Sequence, residues 1–232
     1  MSTVYLIRHG QASFGADDYD ALSPLGFEQA KVLGEALAPR LAGHARLRVF
    51  SGSMRRHRET AVTCLAAMAH ALEPEVDAGF NEFDHEDVLD AHAPHWRDRR
   101  VMRADLAAAP DPHRAFQAVF EPAFVRWTSG QFDTDYREPW SAFRGRCENA
   151  LTSTGQRLAP DDTALVFTSG GTIAALCLHL MNLSVETAMR LNWRFANAGI
   201  TKLSIGRAGA QVVSFNEHGH FEGERRALLT FR

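Results

Sequence analysis

The sequence predicts an α/β fold with three layers: a mostly parallel sheet, helices on both of its faces, and an inserted helical cap. Short apolar runs alternate with helical patterns near both ends of the chain, which is typical of a parallel sheet covered on both sides. The region from about residue 84 to 158 is helical in pattern and contains no convincing strand. We therefore predict a single domain over residues 1–232, with the helical insert at about 84–158.

The individual elements follow from local patterns. Apolar, β-branched or aromatic runs at residues 4–7, 47–50 and 163–168 predict buried strands, and residues 76–80 are a candidate for another. Ser23 followed by Pro24 predicts a helix start, with serine as N-cap and proline at the first position. Helical patterns cover residues 54–72 and the residues that follow the strand at 163–168, up to about residue 181. We also predict a closing pair of strands at residues 200–205 and 211–215.

Composition narrows the class of protein. The chain has 232 residues, of which 45% are hydrophobic and 23% charged, so a sizeable core is expected. A net charge of −3 lacks the basic excess that nucleic-acid or membrane-surface binding would need. Three widely spaced cysteines form neither a disulfide framework nor a CxxC metal motif. With no signal-peptide pattern and no run of 18 apolar residues, we predict a soluble cytoplasmic protein.

Two strand ends carry candidate site residues. Arg8, His9 and Gly10 follow the first strand, and open α/β sheets bind ligands beyond the carboxyl ends of their strands. Histidine is a competent nucleophile toward phosphorus when a hydrogen bond fixes its other ring nitrogen. A polar surface loop is the alternative. After the second strand, three arginines lie within residues 55–58, and at ~100° per residue at most one or two can face a site.

The stretch VFTSGG, residues 166–171, ends a strand in two hydroxyl side chains and two glycines. Glycine allows a sharp turn into the following helix. The amides at that helix start could also hold an anion. Residues 17–20 form an acidic stretch that would either line a pocket mouth or be an exposed loop.

An Arg-His-Gly motif and five further segments, in the same order, resemble the histidine phosphatase superfamily, also called phosphoglycerate mutase-like. The segments are Leu6-Ile7-Arg8-His9-Gly10, Leu22-Ser23-Pro24-Leu25-Gly26 with Gln29-Ala30, Arg56 with Thr60-Ala61, Phe80-Asn81-Glu82, Val166 to Gly171, and Arg194 to Thr201. The resemblance covers most of the chain outside residues 84–158. It therefore implies a single histidine-phosphatase-like domain with a helical insert.

The resemblance implies a metal-independent phosphomonoester hydrolase that works through a phosphohistidine intermediate. His9 would attack phosphorus, while Arg8 and Arg56 would neutralise the phosphoryl oxygens. Glu82 would protonate the leaving oxygen and then activate water. No metal or other cofactor is needed, because the arginines supply the positive charge. The substrate would be a small phosphorylated molecule, and exposed apolar edge strands leave a homodimer open.

Further residues are predicted to contact the substrate. Gly10, Gln11 and Ser13 lie at or within a few residues of His9, and the amides at Gly170 and Gly171 would add helix-terminus donors.

Ser169 departs from the family pattern, which normally has a second histidine contacting the phosphoryl group at this position. Ser169 is still predicted to contact the substrate, because its hydroxyl can donate one hydrogen bond. It carries no charge, however, and loss of a cationic donor could lower the rate on the order of 10²-fold or more. His85, three residues after Glu82, is the nearest candidate replacement in the sequence. A loop histidine without a catalytic role is the alternative.

Three other functions stay open. The first is a weakly active or inactive family member that binds a phosphorylated ligand or a protein partner. The second is a phosphoglycerate-mutase-type phosphotransferase, in which a second hydroxyl replaces water. The third is a metal hydrolase built on His85, His92 and His95, although no HExxH or cysteine context supports a metal.

Overall fold

In the computed structural model, residues 1–13, 20–43 and 46–231 are described, and they contain six strands and eight α-helices. The strands are β1 (Ser2–Arg8), β2 (Leu47–Ser51), β3 (Glu75–Val76), β4 (Thr163–Thr168), β5 (Ile200–Gly206) and β6 (Gly209–Glu217). The α-helices are α1 (Pro24–Leu41), α2 (Arg55–Ala67), α3 (His85–His92), α4 (Arg99–Ala108), α5 (Pro112–Thr128), α6 (Trp140–Gln156), α7 (Gly170–Met181) and α8 (Val185–Asn192).

The six strands form one mixed sheet in the order β3-β2-β4-β1-β5-β6. β3, β2, β4 and β1 pair in parallel, whereas β5 is antiparallel to β1 and β6 is antiparallel to β5. This confirms the predicted α/β class with its mostly parallel sheet. The carboxyl ends of β1, β2 and β4 therefore meet at one edge, where their loops can share a site.

Both faces of the central strands are buried. Tyr5 and Ile7 of β1 pack in a cluster that includes Leu33 of α1 and residues of α2. Val4 and Leu6, which alternate with them, are fully buried as well. Since successive side chains of a strand point to opposite faces, the second face of β1 is also covered, and α7 contacts β1.

Two element boundaries differ from the prediction. The strand predicted at 76–80 is wrong beyond Val76, because Asp77 accepts the amide of Gly79 at 2.8 Å and turns the chain into a 3₁₀ helix at Ala78–Phe80. The helix predicted over 54–72 ends at Ala67, since Ala69 is left-handed with a φ of 56°. The predicted start of α1 is confirmed: Ser23 Oγ accepts the amide of Gly26 at 3.1 Å.

The chain forms two compact units, one of residues 1–82 and 146–232 and one of residues 83–145. Every residue of 83–145 is described and none lies in a strand. The insert predicted at about 84–158 within a single domain stays a prediction. The second unit has its own aromatic core, in which Phe83, Phe124, Trp127, Trp140 and Phe143 make mutual ring contacts. That this unit caps the sheet stays a prediction.

Within the described parts of the chain, no helix is both long enough and apolar enough to span a bilayer. Among the same residues, no group of three or more histidine, cysteine, aspartate or glutamate side chains is arranged to hold a metal ion.

Candidate active site

His9 is held in place by three segments of the first unit. It follows β1 directly and is only 6% exposed. Its amide donates to the carbonyl oxygen of Thr168, at the end of β4, at 2.9 Å. Its own carbonyl accepts the amide of Ala198 at 3.2 Å and the side-chain amide of Asn197 at 3.3 Å. The backbone around this histidine is therefore fixed at the carboxyl ends of two neighbouring parallel strands.

The two ring nitrogens of His9 have different partners, which determines the tautomer. Nδ1 lies 2.7 Å from the carbonyl oxygen of Gly10, which can only accept, so Nδ1 carries the proton. Nε2 accepts from Nε of Arg56 at 3.2 Å, so Nε2 holds the lone pair. Burial, together with the charges of Arg56, Arg8 and His57, lowers the pKa of His9 well below 6.5. His9 is therefore a neutral imidazole with a nucleophilic Nε2.

Arg56 links the histidine to an acidic residue. It lies in the first turn of α2, is 5% exposed, and donates through Nη1 to Asp20 Oδ1 at 2.7 Å. The other carboxylate oxygen of Asp20 accepts the amide of Arg55 at 2.8 Å. Asp20 comes from the acidic stretch 17–20, whose residues 17–19 lie outside the described part of the chain. The Asp20 carboxylate therefore pairs with the Arg56 guanidinium, which could otherwise bind an anionic ligand.

The other arginines of the motif divide as the helical spacing predicts. Arg55 is exposed and pairs with Glu59 at 2.7 Å, and Arg58 is also exposed, so only Arg56 of the three is buried beside His9. Arg8, at the end of β1, donates through its guanidinium to the carbonyl oxygen of Phe195. The loop before β5 therefore orients the Arg8 side chain.

Glu82 reaches the start of α7. Its Oε2 accepts the amide of Gly171 at 3.0 Å. The preceding residue is anchored twice, because Asn81 O accepts from Thr172 Oγ1 at 2.9 Å and from the Arg146 guanidinium at 2.7 Å. The Gly171 amide, which was predicted to bind the phosphoryl group, thus holds the predicted acid–base carboxylate instead.

Ser169 is fully buried and contacts an imidazole that sequence reasoning missed. Its Oγ lies 2.6 Å from Nε2 of His57, which is also fully buried. The His57 and His9 ring centroids are 5.7 Å apart. Burial, followed by the charge of Arg56, holds the pKa of His57 well below 6.5. An imidazole therefore lies beside Ser169, and it comes from α2.

A signal for His57 was present in the sequence. Thr60, Ala61 and Cys64 lie three, four and seven residues after it, and all are buried. This spacing places His57 on the buried face of α2, although it stands in a run of arginines. His85, the predicted replacement for the missing histidine, is the first residue of α3 in the second unit, and its role stays a prediction.

Two predicted glycines sit where backbones come close together. A Cβ on Gly10 would lie 2.4 Å from the carbonyl oxygen of Gly26, and its amide donates to Thr60 Oγ1 at 3.0 Å. A Cβ on Gly170 would lie 2.6 Å from Oδ1 of Asn192, at the end of α8. Substitution of Gly10 would therefore displace the backbone that frames His9, whereas at Gly170 the Asn192 side chain would have to give way.

Gln11 and Ser13 are held against the start of α1. Oε1 of Gln11 accepts from Ser23 Oγ at 3.0 Å, and its amide donates to Gln29 Oε1 at 2.8 Å. The Ser13 amide donates to the carbonyl oxygen of Ala21 at 2.8 Å. These bonds shape the loop after His9, and direct substrate contact by either residue stays a prediction.

The site combines a neutral imidazole nucleophile, two guanidinium groups and a carboxylate at the carboxyl ends of parallel strands. A nucleophile surrounded by fixed positive charge suits transfer of an anionic phosphoryl group. The model of the histidine phosphatase superfamily (branch 1) matches residues 4–218. The chain belongs to this superfamily.

Solved structures of other proteins share the fold. A phosphoglycerate mutase from Bacillus anthracis is 21% identical, with a TM-score of 0.62 over 94% of both chains. A phosphoserine phosphatase mutant from Entamoeba histolytica, solved with phosphoserine, is 18% identical, with a TM-score of 0.62 over 95% of this chain and 99% of that one. A mycobacterial glucosyl-3-phosphoglycerate phosphatase, solved with inorganic phosphate, is 24% identical, with a TM-score of 0.56 over 94% and 98%.

No curated protein matches the chain. Membership of the superfamily, with phosphatases and a mutase among the structural neighbours, supports phosphatase or phosphotransferase activity in general.

Proposed function

We propose that the protein is a metal-independent phosphomonoester hydrolase that acts on a small phosphorylated molecule through a phosphohistidine intermediate on His9. The observation that carries this proposal is the pair of hydrogen bonds that orients the His9 ring. Its Nδ1 proton is held by the Gly10 carbonyl at 2.7 Å, and its Nε2 lone pair faces Arg56. A neutral ring, oriented on one side and nucleophilic on the other, is what attack on phosphorus requires.

In the first step, the Nε2 lone pair of His9 forms a bond to phosphorus as the ester P–O bond breaks. In the free protein, Nε–H of Arg56 donates a hydrogen bond to this lone pair. During the attack, the same N–H donates to a phosphoryl oxygen instead. Arg8 adds a second positive charge, so negative charge on the phosphoryl oxygens is stabilised where it accumulates. Glu82 gives its proton to the leaving oxygen.

In the second step, water attacks the phosphohistidine and the P–N bond breaks. Glu82 accepts the proton of the water, and inorganic phosphate leaves with His9 neutral again. The Gly171 amide holds one oxygen of Glu82 at 3.0 Å, which keeps the carboxyl group in the same place through both steps. The arginine side chains supply the positive charge that a metal ion would supply in other phosphatases.

The test is turnover of p-nitrophenyl phosphate by the wild type and two variants in the presence of a chelator. His9→Ala should lower kcat on the order of 10³-fold or more, because the nucleophile is lost. Arg58→Ala, which removes an exposed arginine from the same helix, is the matched control and should keep full activity. An active His9→Ala variant would refute the covalent mechanism, and loss of activity with the chelator would refute metal independence.

A trapping experiment separates hydrolysis from phosphotransfer. Rapid quenching with labelled substrate should yield an acid-labile phosphoenzyme in the wild type and none in His9→Ala. If the label passes to an added hydroxyl acceptor such as phosphoglycerate faster than to water, the protein is a phosphotransferase of the mutase type. The predicted homodimer and cytoplasmic location stay predictions.

A further inference from the structure

Two buried polar side chains beside His9 have no part in the reaction proposed above. They are His57 and Ser169, whose Nε2 and Oγ atoms lie 2.6 Å apart. Both side chains are fully buried: His57 lies in the first turn of α2, and Ser169 directly follows β4. Their hydrogen bond caps no helix, so the burial of these two polar side chains requires another explanation.

The hydrogen-bond partners indicate where the proton of His57 lies. Among the described residues, Nδ1 of His57 is buried and has no hydrogen-bond partner. A proton on Nδ1 would be an orphaned buried donor, which is rarer in proteins than an unsatisfied acceptor. The proton therefore lies on Nε2, which donates to Ser169 Oγ. A hydroxyl oxygen that accepts a hydrogen bond keeps its own proton to donate elsewhere.

The Ser169 hydroxyl does not cap the helix that it precedes. Ser169 is the N-cap residue of α7, the position from which a serine side chain commonly accepts an amide of the first turn. Its Oγ makes no such bond and contacts His57 instead. Within the described part of the chain, the only hydrogen-bond partner of this hydroxyl is His57, so its proton has no acceptor among these residues.

The packing around His57 favours a single ring position. The backbone of Gly52 passes so close that a Cβ at this position would lie 2.2 Å from Nδ1. The glycine is itself fixed, because its amide donates to the carbonyl oxygen of Phe167 at 3.0 Å. The imidazole is therefore confined between this loop and Ser169, with its ring centroid 5.7 Å from that of His9.

We infer that His57 and Ser169 form a second phosphoryl-binding arm: Nε2–H of His57 donates to Ser169 Oγ, and the Ser169 hydroxyl donates to the phosphoryl group at His9. This inference rests on the proposed function, because it assigns these residues to the same anion. The pair contributes an oriented donor without a charge, in contrast to Arg8 and Arg56. Ser169 would be the group that touches the substrate, and His57 is a positioning residue that acts through it.

The test measures kcat/KM for p-nitrophenyl phosphate and the inhibition constant of inorganic phosphate. Ser169→Ala should lower kcat/KM by about 10- to 100-fold and weaken phosphate binding, because a donor to the phosphoryl group is lost. His57→Ala should have a similar effect. The double variant should lose little more than either single one, since the two side chains act as one hydrogen-bonded unit.

Two controls separate this role from a structural one. Ser51→Ala removes a fully buried hydroxyl whose hydrogen bond, among the described residues, is to the carbonyl oxygen of Gly52, and it should keep both constants near wild type. His57→Gln keeps an amide that can donate to Ser169, and it should recover part of the loss seen in His57→Ala. Urea unfolding shows which variants are folded. Ser169→Ala removes fewer atoms than His57→Ala, so the test depends mainly on the Ser169→Ala variant.

Each outcome distinguishes this inference from the proposed function. If His9→Ala abolishes turnover but folded Ser169→Ala matches wild type in both constants, the second arm is refuted and the proposed function stands. If the wild type turns over no phosphomonoester, the proposed function fails. Inorganic phosphate binding by calorimetry then decides about the arm: weaker binding by Ser169→Ala supports it, and unchanged binding refutes it.

Discussion

The substitution Gly52→Ala tests where the His57 ring lies. The new Cβ would lie 2.2 Å from Nδ1 and 2.9 Å from Cε1 of this ring, and 2.9 Å from Oδ1 of Asn81. The first distance is about 1.2 Å short of an ordinary van der Waals contact, which begins near 3.4 Å. Gly52 does not have a left-handed backbone, so the whole cost is steric. Either the His57 ring or the backbone at Gly52 therefore has to shift.

The expected magnitude follows from two terms. Overpacking of a buried site typically costs about 1–3 kcal/mol. A displaced ring also loses its bond to Ser169, which contributes about 1 kcal/mol. We therefore expect the free energy of unfolding of Gly52→Ala to fall by about 2–4 kcal/mol, measured as a lower urea midpoint with an unchanged m-value. The value of kcat/KM should fall with it, because the second arm is displaced.

A double-mutant cycle supplies the decisive comparison. Removing the ring relieves the clash, so Gly52→Ala combined with His57→Ala should be more stable than the sum of the single effects by at least about 1 kcal/mol. The matched control is Gly145→Ala in α6, where the new Cβ meets no atom of the described residues within 4 Å. It should raise stability by about 0.5–1 kcal/mol. Additive effects in the cycle, within about 0.5 kcal/mol, would show that the ring does not lie over Gly52.

Three further predictions concern the electrostatics of buried and paired groups. Asp20→Asn removes the carboxylate that pairs with Arg56 at 2.7 Å, so the dissociation constant of inorganic phosphate should fall about 2- to 5-fold in calorimetry; weaker binding would contradict competition for this guanidinium. Burial lowers the pKa of His220 from 6.5 to about 4, so between these pH values the unfolded chain binds a proton that the folded chain does not. Stability should therefore fall as pH drops from about 6.5 to 4, and His220→Gln, measured by urea unfolding across this range, should flatten the dependence; an unchanged slope would contradict it. Burial raises the pKa of Cys64 and Cys177 to about 12, so a thiol reagent at pH 8 should label them only after unfolding; rapid labelling of the folded protein would contradict this.

Local patterns were sufficient to predict most of the first unit. β1 and β4 were predicted because buried parallel strands are continuous apolar runs, and α1 because Ser23 and Pro24 mark its start. The position of His9 followed from the same logic, since a residue directly after a buried strand lies at the carboxyl edge of the sheet. These predictions depend only on residues close together in the sequence, and the structure agrees with them.

The parts that sequence reasoning missed depend on contacts between distant segments. The spacing of Thr60, Ala61 and Cys64 indicates that His57 is on the buried face of α2, but it does not identify the group that the ring contacts. The partner of Ser169 is 112 residues away from it along the chain. The pairing of Asp20 with Arg56 and the use of the Gly171 amide by Glu82 have the same character. No local pattern carries information about such pairs.

A serine at position 169 need not mean that the site has lost its second imidazole. The structure has an imidazole beside this serine, supplied by α2 instead of the end of β4. This arrangement depends on three positions at once: a small hydroxyl side chain at Ser169, the imidazole of His57, and the absence of a Cβ at Gly52. A larger side chain at Gly52 or Ser169 would exclude the ring, and an apolar side chain at position 57 would leave the serine without its partner. The three residues therefore form one structural unit, and its function should be tested by changing them in combination.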